Sequence, residues 1–112
     1  NTEEIVRRVA NFEIDVGLVE GEAEHPELEV SPWRQDELVV FCAPEHPLAR
    51  KRSLSDADLR ATPWIVRERG SGTRQTFDRA MHGLLPELRI LLALQHTEAI
   101  KSAVAAGLGL GC

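Results

Sequence analysis

The sequence lacks any apolar run approaching the roughly 20 residues that a membrane-spanning helix requires. Its first residues also lack the basic-then-apolar pattern of a secretion signal. Only two cysteines are present, and neither belongs to a CxxC motif, so no disulfide framework is predicted. With 112 residues, 43% hydrophobic and 28% charged, the chain is expected to form one modest domain in the reducing cytoplasm, without a membrane partner.

Aromatic residues are scarce, at 4%, and the net charge is −5. The acidity is uneven: residues 1–32 carry nine acids against two arginines, whereas residues 33–112 carry nine acids against eleven bases. Phosphate contacts supply most of the affinity of a nucleic-acid-binding protein, and an acidic chain with few aromatics is poorly suited to make them. We therefore expect this segment not to bind DNA by itself.

The sequence contains no motif for nucleotide, metal or nucleophilic chemistry. GxxxxGK(S/T) is absent, and the glycines at 107–111 follow a helical pattern and enter a strand, the reverse of a pyrophosphate loop. Cys42 lies in a buried strand pattern with no obvious base, and no Ser-His-Asp set is suggested. The four histidines have no metal-ligand spacing: His25, His46, His82 and His96. We expect no catalytic residue, no metal and no cofactor.

Helical and strand periodicities alternate along the chain. Four helices are predicted, beginning with a cap at Thr2, a capping box at Ser55–Asp58, the turn at 70–72 and a cap at Thr97. Strands are predicted over 12–19, 38–43, 64–66 and 88–94, and a last one enters at 108. Repeated strand-then-helix units predict an α/β fold with a mostly parallel sheet and helices on both faces.

The glycine-rich turn that follows the third strand is the best candidate for a binding site. Gly70 and Gly72 allow a tight turn, and Ser71 and Thr73 place hydroxyls where the next helix begins. Free N–H groups at a helix N-terminus form a natural anion site, to which a neighbouring arginine, Arg67 or Arg74, adds charge. The alternative is that Ser71 or Thr73 only caps the helix and that the arginines are solvated.

Two further strand ends are weaker candidates for the same cleft, because ligands of open α/β sheets sit at the carboxyl ends of strands. Glu20 and Gly21 end the strand predicted at 12–19, and an ordinary turn is the alternative there. Thr97 begins a helix after the strand at 88–94, and its alternative role is a simple cap.

Three stretches in order resemble the LysR-type transcriptional regulators. Ile14–Gly21 looks like the family's "D-hydrophobic-G" strand, and Asp36–Ala49 is similar to its strand followed by P-x-x-HPLA. Thr97–Leu110 looks like its last helix, glycine and return strand. Trp64–Arg74 resembles the branch of carbon-fixation, sulfur-assimilation and YeiE-like regulators, whose effectors are often small anions or phosphorylated metabolites. The resemblance covers essentially the whole chain.

The resemblance implies an effector-binding domain of the type 2 periplasmic-binding-protein-like fold, with two Rossmann-like subdomains and a ligand cleft between them. Residues 1–21 would be a remnant of subdomain I, 22–32 a crossover segment and 33–112 most of subdomain II without its return crossover. The parent would be a homodimer or homotetramer that binds DNA only through an N-terminal helix-turn-helix absent from this sequence. A small anionic effector in the cleft would control transcription.

Two other functions share parts of this pattern. A periplasmic-type anion-binding protein has the same two-lobed architecture, and an upstream secretion signal would favour it, whereas an upstream helix-turn-helix would exclude it. A small α/β phosphate-processing enzyme domain would use the turn at 70–74. That enzyme would need an acid or base within reach of Ser71, and the sequence nominates none.

Overall fold

The computed structural model describes all 112 residues. Four α-helices are formed: α1 at Thr2–Ala10, α2 at Asp56–Ala61, α3 at Gly72–Ala80 and α4 at Thr97–Ala105. Three strands are formed: β1 at Trp64–Arg67, β2 at Ile90–Leu94 and β3 at Leu110–Gly111. Two short 3₁₀ helices lie at Pro47–Arg50 and Leu85–Glu87. No helix is long and apolar enough to cross a membrane.

The three strands form one parallel sheet in the order β2-β1-β3, with β1 in the centre. Trp64 pairs with Ile90 of β2 on one side and with Leu110 of β3 on the other. Parallel neighbours need crossover connections, and α3 and α4 supply them. The predicted α/β fold with a mostly parallel sheet is confirmed.

Each face of the central strand is covered by a helix, as predicted. Trp64 and Val66 pack with Phe77 of α3, and the Trp64 and Phe77 ring centroids lie 5.1 Å apart. Ile65 points to the opposite face and packs with two residues of α4, Ile100 and Val104. The Trp64 indole also donates a hydrogen bond of 2.9 Å to the carbonyl of Leu59. Packing on both sides therefore buries Trp64, Ile65 and Val66 of β1, and the candidate turn follows this strand directly.

The capping box of α2 is confirmed. The Ser55 hydroxyl accepts from the Asp58 amide at 3.2 Å, and the Asp58 carboxylate accepts from the Ser55 amide at 3.0 Å. Lys51 donates a hydrogen bond to the same carboxylate, and with the Ser55 donors it lowers the pKa of Asp58 to about 2. The sequence pattern is local, which is why it was sufficient to locate this helix.

The strands predicted over 12–19 and 38–43 are not formed. Residues 13–46 contain no helix or strand, and their one ladder contact is an antiparallel bridge between Phe41 and Gly111. Val16 is 77% exposed and Val39 is 57% exposed, whereas Phe41 and Cys42 pack against the core and Ala43 is buried without forming a strand. A strand needs a hydrogen-bonding neighbour, and the three-stranded sheet offers these stretches none beyond the bridge at Phe41.

The predicted capping roles of Thr2 and Thr97 are wrong by one residue. Asn1 occupies the N-cap position of α1, and its side-chain oxygen accepts from the Glu3 amide at 3.1 Å. Thr2 is the first helical residue and is buried. His96 occupies the N-cap position of α4 without a capping hydrogen bond, and Thr97 follows as the first residue of that helix. Both threonine hydroxyls are therefore free of capping.

Helix α3 is short, with nine residues. Its last helical residue is Ala80, and Met81 is the C-cap. Residues 81–84 form a turn, and the 3₁₀ helix that follows contains Pro86. Gly83 and Pro86 lie just beyond the end of the helix, and neither residue favours a helix interior.

Candidate functional site

The N-termini of α1 and α3 meet, although they lie about 70 residues apart in the sequence. The Glu3 amide donates to the carbonyl of Gly70 at 3.3 Å. The Asn1 side-chain amide donates to the carbonyl of Arg69 at 3.1 Å and to the Glu68 carboxylate at 2.9 Å. Because a helix N-terminus carries a partial positive charge, the junction places two such charges side by side.

The hydroxyl of Thr2 joins three segments at this junction. It donates to the carbonyl of Glu20 at 2.8 Å and accepts from the amide of Gly72 at 3.2 Å. Thr2 is almost fully buried, so water does not replace these bonds. One side chain therefore holds α1, the 20–21 segment and the start of α3 in a fixed arrangement.

Glycine is required where the 20–21 segment crosses the start of α3. A Cβ atom at Gly72 would overlap the carbonyl oxygen of Glu20, and one at Gly21 would lie 2.8 Å from the Cα of Gly72. Gly21 and Gly70 also have φ values of +80° and +81°, which L side chains rarely adopt. Gly70 contacts the Glu3 side chain, where a Cβ would approach the carboxylate to 2.6 Å.

A pocket of about 210 Å³ opens at the junction. Three aliphatic side chains line part of it, and its other lining residues are Asn1, Thr2, Glu20, Arg67, Ser71 and Gly72. Ser71 is only 2% exposed and occupies the N-cap position of α3, yet its side chain makes no capping hydrogen bond. The alternative that Ser71 merely caps the helix is therefore not supported.

Two backbone amides at the start of α3 remain available. The Gly72 amide is taken by Thr2, and the first bond of the helical ladder runs from the Gln75 amide to the Ser71 carbonyl at 3.0 Å. The amides of Thr73 and Arg74 precede that bond and have no intrahelical acceptor. Amide groups of this kind are suited to hold an anion.

The arginines near the pocket are paired with acids. Arg67 donates two hydrogen bonds to Glu68, at 2.9 and 3.2 Å, and both side chains are mostly buried. Burial of Glu68 opposes its ionisation, but the donors Arg67 and Asn1 outweigh burial and hold the pKa of its carboxyl below the ordinary value. Arg74 pairs with Asp78 at 2.7 Å and does not line the pocket. Of the two arginines, only Arg67 contributes to the pocket wall.

The structure brings most of the predicted site residues together. Arg67, Ser71, Gly72 and Glu20 line the pocket, and Thr73 adjoins it through a hydrogen bond of 2.5 Å from its hydroxyl to the Glu20 carboxylate. The two remaining glycines, Gly21 and Gly70, do not line the pocket, but they lie against residues that do: Gly21 against Gly72, and Gly70 against Asn1. Thr97 follows β2 at the start of α4 and is exposed, and it does not line the pocket.

Two polar pocket residues, Asn1 and Thr2, are not among the site residues predicted from the sequence. Their pattern is a polar residue and a hydroxyl at the start of a helix, which is the same pattern that singled out Ser71 and Thr73. Of these two residues, the sequence predicts only a cap at Thr2, and no preceding strand or glycine turn marks this helix start as a site. Only the fold shows that both helix starts face one pocket.

Residues 1–112 match the LysR substrate binding domain family over the whole chain, so the chain belongs to that family. This is a family of ligand-binding domains of transcriptional regulators and not an enzyme family. The resemblance seen in the sequence is thereby confirmed.

Two curated relatives show where in the family the chain lies. It is 44% identical over 112 residues to the uncharacterized HTH-type transcriptional regulator YeiE of Escherichia coli (strain K12), covering 100% of this chain and 38% of YeiE. It is 38% identical over 112 residues to the HTH-type transcriptional regulator CysL of Bacillus subtilis (strain 168), covering 98% of this chain and 37% of CysL. The chain thus spans less than two fifths of the length of these relatives.

A solved structure supports the fold. The regulatory domain of CcmR from Synechocystis PCC6803, solved in complex with 2-PG, superposes with a TM-score of 0.86 at 36% identity. The match covers 99% of this chain and 53% of that chain. The type 2 periplasmic-binding-protein-like architecture expected from the resemblance is therefore confirmed.

Proposed function

We propose that the chain is the effector-sensing domain of a LysR-type transcriptional regulator and that it binds a small anionic metabolite where α1 and α3 begin. The observation that carries this proposal is the pocket where the N-termini of α1 and α3 meet. Ser71 lines this pocket, and its hydroxyl does not cap α3. A side chain that is 2% exposed and leaves its own helix uncapped is well placed to bind a ligand instead.

The chemistry of the pocket suits an anion. The Ser71 hydroxyl lies on one side of the pocket, and Asn1 and Thr2 begin the second helix on the other. The amides of Thr73 and Arg74 follow Ser71 in the first turn of α3 and have no intrahelical acceptor. Arg67 adds a guanidinium that is already oriented by Glu68. These donors are fixed before a ligand arrives, so little ordering is needed when it binds.

The same pocket explains how binding would be sensed. We assign residues 1–21 to subdomain I, 22–32 to a crossover and 33–112 to subdomain II, so that Thr2 and Ser71 belong to different subdomains. A ligand that contacts both stabilises one relative arrangement over others, and its preference sets how far the equilibrium moves. In the whole protein, a cytoplasmic homodimer or homotetramer, that movement would change how a helix-turn-helix domain binds DNA.

The relatives support this assignment without identifying the ligand. YeiE and CysL are both named as HTH-type transcriptional regulators, and the CcmR regulatory domain was solved with 2-PG. Neither the periplasmic nor the enzymatic alternative receives comparable support, because the matched family consists of domains of transcriptional regulators.

The Ser71→Ala/Thr73→Ala double variant of the full-length protein tests the site. Thermal unfolding is measured with oxyanions, phosphorylated sugars and small carboxylates. A ligand at about 100 times its dissociation constant stabilises the folded state by about 2.7 kcal/mol, and we expect the double variant to lose most of that shift.

Ser102→Ala is the matched control, because Ser102 donates only to the Glu98 carbonyl within α4. It should keep the ligand-induced shift. A double variant that is stabilised as strongly as the wild type would exclude this pocket as the effector site.

A further inference from the structure

We infer that Glu20 determines the specificity of this pocket by selecting anions that also carry a hydrogen-bond donor. The expected ligand is a partly protonated oxyanion or a hydroxylated carboxylate, in preference to an anion of similar shape without a donor. This inference rests on the proposed function, because it concerns the same pocket.

The backbone of Glu20 is held firmly against the pocket. Its carbonyl accepts the hydrogen bond from Thr2 at 2.8 Å and lies directly over Gly72. The next residue, Gly21, has a positive φ and packs on the same glycine. Because the main chain is fixed on both sides, the Glu20 side chain starts from a defined point on the pocket wall.

The carboxylate of Glu20 faces the donors of α3 without a cationic partner. One oxygen accepts from the Thr73 hydroxyl at 2.5 Å. The basic side chains beside it are paired elsewhere, Arg67 with Glu68 at 2.9 Å and Arg79 with Glu22 at 2.7 Å. The carboxylate has two oxygens and several lone pairs, so one hydrogen bond from Thr73 leaves acceptor capacity unused.

An anion that enters the pocket therefore meets donors and a charged acceptor together. Ser71 and the first-turn amides can hold its charged oxygens. An ionised carboxylate only accepts hydrogen bonds, and two negative oxygens facing each other without a proton between them repel. A ligand hydroxyl beside Glu20 converts that repulsion into a charge-assisted hydrogen bond.

The expected ratio of affinities between ligands with and without a donor follows from the free-energy cost of leaving a charged group unpaired. A hydrogen bond to a charged group changes affinity by about tenfold or more, and an unmet charged acceptor adds to the penalty. We therefore expect at least about tenfold preference for the ligand that carries a donor.

A different role for Glu20 leads to a different result. In this alternative, the Glu20 carboxylate only occupies the Thr73 hydroxyl, and every anionic ligand has to displace it. Removing the charge of Glu20 would then strengthen the binding of all anions equally. If Glu20 selects ligands by a hydrogen bond, removing its charge changes the ratio of the affinities of two ligands. If Glu20 is only displaced, removing its charge leaves that ratio unchanged.

The test is calorimetric titration of the full-length protein at about pH 7 with two matched pairs, phosphate against sulfate and glycolate against acetate. Within each pair the anionic group is alike, and only the first member carries a donor. The variant is Glu20→Gln, and the control is Glu22→Gln. The control removes the same charge two residues further along the chain, where Glu22 forms an exposed ion pair with Arg79.

We expect the wild type and Glu22→Gln to prefer the donor-bearing member of the more tightly bound pair by about tenfold or more, and Glu20→Gln to reduce that preference to about threefold or less. Equal affinities within both pairs in the wild type, or a preference that survives in Glu20→Gln, would overturn the inference while leaving the anion site intact. Binding of none of the four anions would count against the proposed function itself.

Discussion

Replacing Gly72 with alanine is expected to weaken effector binding by about 100-fold and to destabilise the fold by about 1–3 kcal/mol. The added Cβ would overlap the carbonyl oxygen of Glu20, which is main chain and cannot rotate away. The 20–21 segment would have to move off α3, which would break the bond from the Thr2 hydroxyl. Calorimetry with the effector, together with the unfolding midpoint, measures both effects.

Gly83→Ala is the matched control for this substitution. No atom lies within 4 Å of a Cβ built at Gly83, and its φ is not positive, so the change in stability should stay within about 0.5 kcal/mol. If Gly72→Ala bound effector as the wild type does, the close crossing at α3 would have no part in the site.

Replacing Thr2 with valine is expected to cost about 1–3 kcal/mol of stability and at least about tenfold in effector affinity. Valine keeps the shape of threonine but loses the hydroxyl. The Gly72 amide and the Glu20 carbonyl would then both lose their partner in a place where Thr2 is nearly fully buried. Chemical denaturation gives the stability, and titration with the effector gives the affinity.

Thr76→Val provides the comparison for this second variant. The Thr76 hydroxyl donates to the carbonyl of Gly72 at 3.0 Å within α3. That carbonyl is also positioned to accept the helical hydrogen bond from the Thr76 amide. We therefore expect Thr76→Val to lower stability and effector affinity only slightly. Equal effects of Thr2→Val and Thr76→Val would mean that Thr2 does not join α1 to α3 in any way that matters for binding.

The parts of the fold that were predictable depend on short-range patterns. Ser55–Asp58 formed its capping box, and β1 and α4 were located by the apolar residues that pack them together. The failures at 12–19 and 38–43 arise because a strand depends on distant neighbours, and a local run of apolar residues does not say whether a neighbour is adjacent.

The candidate site also has a part that the sequence predicts and a part that only the fold shows. The turn containing Ser71 was recognisable because a strand end, two glycines and a helix start follow one another in the sequence. The contribution of Thr2 was not recognisable, because it reaches Gly72 across 70 positions, and the bond between Thr73 and Glu20 crosses 53. Only the folded chain turns two separate helix starts into one pocket.

The most direct test of an anion site at this junction is a crystal structure of the full-length protein with arsenate, located by the anomalous scattering of arsenic. Arsenate is a tetrahedral oxyanion that carries a proton near neutral pH, as the Glu20 inference requires. We expect an arsenic peak at this junction, with arsenate oxygens within hydrogen-bonding reach of the Ser71 hydroxyl and the Thr73 amide and facing the start of α1. An arsenic peak only at other places on the molecule, or no peak at the junction, would contradict it.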